Sequence, residues 1–242
     1  MKYLLIAPLL AAMSMPIPAL AQSKADAAFD DTMRSWLLEN PDAIVDALQA
    51  YEANQRAEAV AQMDAAIARN HAALYEDGFS PILGNADGSL GIVMFADYNC
   101  PHCRRAHEAL EEVLAQEPEL KVVVKEWPIL SQSSVLAARY AMAVFDLSGP
   151  AAYADLHHRL FSVEGQVTAE WISKDMAMQG FDADAVAAVM GGAEMDRRLA
   201  ETTQLAADVG ATGTPFFAFG DRAVPGGIEA ETMRGILAEM AR

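Results

Sequence analysis

The chain has 242 residues, 34 Asp and Glu against 17 Lys and Arg, and a formal net charge of −17 at pH 7. So acidic a surface keeps a protein soluble and excludes nucleic acid and anionic lipid as electrostatic partners. The length gives room for one full domain plus an appendage, and a hydrophobic share of 53 % is enough to build a core.

Residues 1–21 read as a cleaved leader. Lys2 supplies the positive start, and Tyr3 to Ala12 is an apolar segment. It is shorter than the ~20 residues a membrane-spanning helix needs. Pro18-Ala19-Leu20-Ala21 then places small residues where a leader peptidase cuts, so cleavage is expected after Ala21. No later segment is long and apolar enough to cross a membrane. The expected location is the periplasm, with no membrane insertion after cleavage, and that compartment is oxidising.

Residues 22–76 read as a helical extension. Phe29, Met33, Trp36 and Leu37 mark the apolar face of a first helix. Asn40-Pro41 ends it and starts a second, with Asn40 as N-cap and Pro41 at the first helical position. That second helix is expected to run to about Leu74. Val60, Met63, Ile67 and Leu74 fall at a/d spacing with polar Asn70 among them, and Ile44, Leu48 and Tyr51 form a weaker seam upstream. An apolar seam with one polar place suits a stalk for self-association. The alternative is a helix that packs back on its own domain.

Asp77 to Ser80 is a linker. Ile82-Leu83, the turn Asn85-Ala86-Asp87-Gly88 and Leu90 to Ala96 follow as a small strand, a turn and a main strand. The main strand delivers Cys100-Pro101-His102-Cys103, the only cysteines of the chain, to a helix reading from Arg104 to Gln116. Leu120 to Trp127 is a β-branched strand closed by Pro128. This is β-α-β with a helical crossover, as parallel neighbours require. Residues 133–209 show no strand pattern. Helices are expected there at Ser134–Leu147, Ala151–Phe161, Thr168–Met178, Ala183–Met190 and Ala193–Val209, separated by Gly, Pro and turn residues. Extended structure returns at Pro215–Phe219, turns at Gly220-Asp221-Arg222, and a helix at Glu229–Met240 ends the chain. The expected fold class is α/β (α+β): a thioredoxin fold over 77–132 and 210–242, an all-helical domain inserted over 133–209, and the N-terminal helical extension.

In an exported protein a two-residue disulfide loop staples almost nothing, because the gain grows with loop length. Chemistry explains the pair better. Cysteines in C-x-x-C at helix N-termini have pKa values lowered to ~3.5–7.5. Cys100 would cap the helix among unpaired N–H groups at the positive end of its dipole, with Pro101 at the first position. His102 can donate to the thiolate and, when protonated, adds positive charge. Cys103, one turn deeper, is the shielded resolving thiol. A stabilised thiolate favours the reduced form and makes the pair oxidising. Haem attachment needs His directly after the second cysteine, where Arg104 stands. A structural zinc site needs four ligands, and only His102 and His107 lie nearby. No cofactor or metal is expected beyond a redox-active Cys100–Cys103 disulfide; the alternative is a carrier holding Cu(I), which favours thiolates, on the reduced pair. In Gly213-Thr214-Pro215-Phe216-Phe217, Pro215 is expected in cis beside the dithiol, leaving Thr214 backbone groups free to pair with a client strand.

Phe95-Ala96-Asp97-Tyr98-Asn99-Cys100-Pro101-His102-Cys103, Glu126-Trp127-Pro128-Ile129-Leu130 with Ala137-Ala138-Arg139, and Gly213-Thr214-Pro215 resemble the DsbA-like branch of the thioredoxin superfamily from about Phe79 to Arg242. The Pro-His dipeptide matches DsbA itself. The helical start from Trp36-Leu37-Leu38-Glu39-Asn40-Pro41 is similar to that of the suppressor-of-copper-sensitivity C proteins. The resemblance implies thiol–disulfide exchange on unfolded or misfolded secreted proteins, a membrane redox partner (oxidase or reductase), and a homo-oligomer, a trimer, through the N-terminal helices. One departure stands out. Relatives carry a carboxylate six residues before the first cysteine, where this chain has Met94. Lys125 or Glu126 could substitute, and strand alternation lets only one of them face the site. His157-His158 reads as solvated helix surface.

Overall fold

The computed structural model describes residues 24–242 and places the chain in two units that divide after Gln55. The leader and its cleavage point after Ala21 lie outside the described residues.

The first unit is helical: α1 (Lys24–Glu39) and the start of α2 (Pro41–Arg69). Asn40 closes α1, donating from its backbone N–H and its side-chain amide to the Trp36 carbonyl at 2.9 and 2.8 Å. Pro41 then opens α2, where its missing N–H forgoes no helical bond. Phe29, Trp36, Leu38, Ile44, Leu48 and Tyr51 are all exposed.

In the second unit α2 stops at Arg69. Asn70 donates its amide to the Ala66 carbonyl, and a short α3 (His71–Tyr75) follows. This corrects the expected single helix to Leu74, and it takes the downstream residues out of the expected seam. Ile67 and Leu74 have no exposed surface and belong to the domain's own core, with Met63 packed against it. The downstream half of the seam packs back; only the upstream half stays uncovered.

The sheet has order β1-β3-β2-β4-β5. Its strands are β1 (Ile82–Gly84), β2 (Leu90–Ala96), β3 (Leu120–Glu126), β4 (Phe216–Phe219) and β5 (Arg222–Pro225). β2 and β3 run parallel through the crossover α4 (Pro101–Leu114), while β1, β4 and β5 pair antiparallel. The near-continuous apolar run of β2 marks a central strand covered on both faces. Alternation divides the sheet. Ile92, Met94, Val122, Val124, Phe217 and Phe219 face one core. Val93, Phe95, Val123, Phe216 and Ala218 face the other, with Ile67, Leu74 and Tyr75. Gly91 admits the Tyr75 ring: a Cβ there would lie 3.0 Å from Tyr75 Cε1. The Tyr75 hydroxyl donates to the carbonyls of Ala218 and Gly220 at 3.2 and 2.9 Å.

Between β3 and β4 the chain forms α5 (Gln132–Phe161), α6 (Ala169–Gln179), α7 (Ala183–Met190) and α8 (Ala193–Asp208). Gly149, at φ 82°, and Pro150 kink α5 where the sequence places a break. Ser131, Thr168 and Asp182 cap α5, α6 and α7 with their side chains. α9 (Ala230–Met240) ends the chain against α4 and β2's first face. A mixed sheet with helices on both sides and helices inserted after β3 is the thioredoxin-type α/β layout expected. Among the described residues no helix is long and apolar enough to cross a membrane.

Candidate active site

β2 ends at Ala96, and the loop Asp97-Tyr98-Asn99 turns the chain into α4. Asp97 builds this turn. Its carboxylate accepts the N–H of Asn99 at 2.8 Å and, across the loop after β3, the N–H groups of Ile129 and Leu130 at 2.9 and 3.0 Å. Its carbonyl accepts the Cys100 N–H at 3.0 Å. Asn99 ties the turn to the inserted helices, donating to Ser133 Oγ at 2.9 Å and accepting the Val167 N–H at 2.8 Å. Neither role is legible from residue type, because each depends on loops that meet only after folding.

Cys100 is the N-cap residue of α4, in extended conformation, and Pro101 holds the first helical position. Both cysteines are free thiols and both are buried, Cys103 completely. The Cys100 thiol donates to the Thr214 carbonyl at 3.3 Å, so the loop before β4 lies against the sulfur. The Thr214–Pro215 peptide bond is cis.

The two sulfurs are pushed in opposite directions. Cys100 is pulled down to about 5, chiefly because the Cys103 thiol donates to its thiolate, which outweighs the cost of burial. The Thr214 side chain and the N–H groups of Cys103 and His102 add to this. The Thr214 hydroxyl is buried with no hydrogen-bond partner. Burial pushes the Cys103 thiol far up, and the Cys100 sulfur beside it adds to the effect. One nucleophile and one protonated resolving thiol result. The His102 ring is exposed and takes a hydrogen bond from the Arg105 guanidinium at 2.7 Å. It is the His102 backbone N–H, rather than the ring, that acts on the Cys100 sulfur.

Met94 is buried in the apolar core on the α4 side of the sheet. Of the two residues that could replace a carboxylate there, Lys125 points to the opposite side, where its ammonium donates to Asp77 Oδ2 at 2.6 Å and the Ala73 carbonyl at 2.8 Å. Glu126 pairs in register with Ala96 and shares the Met94 side. Its Oε1 accepts the hydroxyls of Tyr98 and Tyr153 at 2.6 and 2.8 Å. Complete burial raises its carboxyl to about 8, so the acid is protonated at neutral pH.

The same cluster corrects the reading of His157-His158 as solvated surface. His157 is fully buried, its Nδ1 2.8 Å from the Tyr98 hydroxyl and 3.1 Å from that of Tyr153. Burial holds its pKa well below the usual imidazole value. Only His158 is exposed. Both lie in α5, and His157 is on the side that packs against Tyr98 and against His107 of α4. Phe216, Phe217 and Phe219 are sheet packing.

Residues 91–238 match the DSBA-like thioredoxin domain. No curated protein matches the chain. Among solved structures, a thioredoxin-like oxidoreductase from Silicibacter pomeroyi is 31 % identical, with a TM-score of 0.67 and coverage of 71 % of this chain and 98 % of its own. ScsC of Proteus mirabilis in a transitional conformation is 29 % identical, with a TM-score of 0.66 over 90 % of this chain and 96 % of its own. The thiol-disulfide exchange protein alpha-DsbA2 of Wolbachia pipientis is 25 % identical, with a TM-score of 0.68 over 74 % of this chain and 95 % of its own. The match to the domain takes in the β2–α4 junction, the inserted helices and the loop before β4. The chain belongs to the DSBA-like thioredoxin domain family, close to ScsC, and is an enzyme of the thiol–disulfide oxidoreductase type.

Proposed function

We propose that the protein is an exported oxidoreductase that exchanges disulfides with unfolded or misfolded secreted proteins through Cys100 and Cys103. The observation that carries this reading is the opposed ionisation of the two sulfurs, set beside the Thr214 carbonyl. In the oxidising direction a client thiolate attacks Cys100 Sγ of the Cys100–Cys103 disulfide. The Cys100–Cys103 bond breaks, a mixed disulfide forms, and Cys103 leaves and takes a proton. A second client thiolate then attacks the client sulfur of the mixed disulfide and releases Cys100 as its stabilised thiolate. Isomerisation starts instead from the dithiol: Cys100 attacks a client disulfide, and a partner reductase keeps the pair reduced. Thr214 and Pro215 lie beside the Cys100 sulfur, where an extended client segment would pair with them. A membrane redox partner would reset the dithiol.

Cu(I) carriage is the competing reading. Cu(I) would have to displace the proton that burial holds on Cys103, a cost that weighs against it. Refolding of scrambled ribonuclease discriminates. We expect thiol-dependent recovery of activity that Cys100→Ala lowers by at least a hundredfold. Tight Cu(I) uptake without any refolding activity would favour the carrier.

We also propose self-association through α1 and the start of α2, in which second copies cover Phe29, Trp36, Leu38, Ile44, Leu48 and Tyr51. Exposed apolar side chains at this density on two successive helices support the reading. Light scattering of the chain from Gln22 is expected to give a multiple of the monomer mass, a trimer by the resemblance, and a monomer once residues before Arg56 are removed. Equal monomer masses for both would end this reading.

A further inference from the structure

Away from the dithiol, α4 and α5 face each other with three donor groups at one point. His107 is buried on α4, Glu111 lies one turn further along the same face, and His158 is exposed on α5. His107 Nε2 is 3.4 Å from His158 Nδ1 and 3.9 Å from Glu111 Oε1, and all three donor atoms lie within 4.8 Å of one another. Zinc bonded to nitrogen and oxygen at 2.0–2.2 Å in tetrahedral geometry separates its donors by about 3.3–3.5 Å. The imidazole pair already has that separation, and the exposed Glu111 needs only a small rotamer adjustment.

The surroundings favour a cation. A hollow of about 430 Å³ opens beside the three groups, lined also by Glu108, Glu164 and Arg104. Three carboxylates against one guanidinium leave it net negative. The Arg104 guanidinium is in addition turned to the Gly165 carbonyl at 3.1 Å. His107 is stacked on Phe161 with ring centroids 4.8 Å apart, which fixes the plane of its imidazole.

We propose that His107, Glu111 and His158 form a binding site for a divalent transition-metal ion of the zinc type, tying α4 to α5. Two imidazoles and one carboxylate suit zinc, with water completing the four positions. Copper(II) would bind more tightly to the same donors. The site is separate from the dithiol and does not depend on the exchange reading. With the metal on Nε2, the His107 proton sits on Nδ1, which is buried with no acceptor. A missing outer partner of this kind weakens metal sites by about 10–100-fold. The site is therefore built for exchangeable rather than permanent occupancy. Cys103 precedes His107 by one turn of α4, so the ion would brace the helix that carries the active dithiol.

The test is zinc binding by the full mature chain with the Cys100–Cys103 disulfide closed, which removes the thiolates as competing ligands. Competition against a chelating dye is expected to show one Zn²⁺ per chain. His158→Ala is expected to weaken binding at least tenfold and Glu111→Gln severalfold. Both residues are exposed, so neither change empties the core. Substituted Co²⁺ should give the visible absorption of a four-coordinate ion in the unaltered chain and lose it in His158→Ala. Absence of Zn²⁺ uptake by the oxidised protein, or uptake that His158→Ala leaves unchanged, would overturn the proposal.

Discussion

In the reduced protein, iodoacetamide will alkylate Cys100 at a rate that is level above about pH 6 and falls with a midpoint near 5, while Cys103 stays unreactive in the folded chain. The largest contribution is the hydrogen bond that Cys103 donates. Cys103→Ala should therefore raise the midpoint by about one to two units. A midpoint left near 5 in that variant would show that the helix N-terminus and Thr214 suffice. The same ionisation sets how stability depends on pH. An unfolded cysteine titrates near 8.5, and Cys100 folded titrates near 5. The stabilisation of the reduced chain is then fully present above the unfolded value and is lost as pH falls through 5. Cys103 acts in the other sense: its raised pKa costs stability only once pH rises past the unfolded value. The reduced protein should gain most over its oxidised form near pH 8 and lose that advantage below pH 5. The upper bound is about 5 kcal/mol, at 1.36 kcal/mol per unit. Denaturant unfolding of both redox forms between pH 4 and 9 measures it. A thiol stable as its anion is also a good leaving group, which makes the disulfide form a ready acceptor of electrons from other thiols.

The second large effect lies on the opposite side of the sheet. Lys125 is fully buried and its ammonium is held by Asp77 at 2.6 Å and the Ala73 carbonyl at 2.8 Å. Asp77 in turn accepts the N–H groups of Phe79 and Ser80 at 3.1 and 2.9 Å and the Ser80 hydroxyl at 2.6 Å. Burial alone would raise the Asp77 carboxyl, but the ammonium and these donors hold it below the usual carboxylate range. Asp77→Ala is expected to cost about 3–5 kcal/mol, because it leaves a buried charge without a counterion. Pairing it with Lys125→Met should recover most of that loss, since the methionine removes the charge and keeps the volume. Urea unfolding of the two variants measures both steps. A double variant as unstable as Asp77→Ala alone would mean that the carboxylate acts through the Phe79–Ser80 turn and not through Lys125. The pair clamps the end of α3 to β3, so its loss should loosen that end of α3 before the active site.

Much of the fold is legible because its signals are local. A proline at a helix's first position, Gly149-Pro150 within α5 and the unbroken apolar run of β2 act on the backbone where they stand. So does Cys100-Pro101-His102-Cys103 at a strand-to-helix junction, since an N-terminus exposes the same N–H groups in any protein. Burial of a particular helix side is different. His157 and His158 are neighbours of opposite fate, and residue type does not distinguish them. The seam Val60, Met63, Ile67 and Leu74 has the period of a coiled coil, yet a sheet can take the same stripe as readily as a second helix. Lys125 and Glu126 show the limit most sharply. Alternation requires that they point apart, and only the packed layers say which one meets a carboxylate and which meets two tyrosines.

The strand–helix order, the dithiol at the start of α4 and the place of Pro215 just before β4 are readable from the residues, because each follows from the conformational rules of a few neighbours. Packing is what lets Cys103 donate to Cys100, gathers three N–H groups from two loops on Asp97, and brings His107 to His158 from another helix. Those contacts join residues brought together by which faces of helices and sheet are laid against each other. That choice belongs to the whole core and is written at no single position.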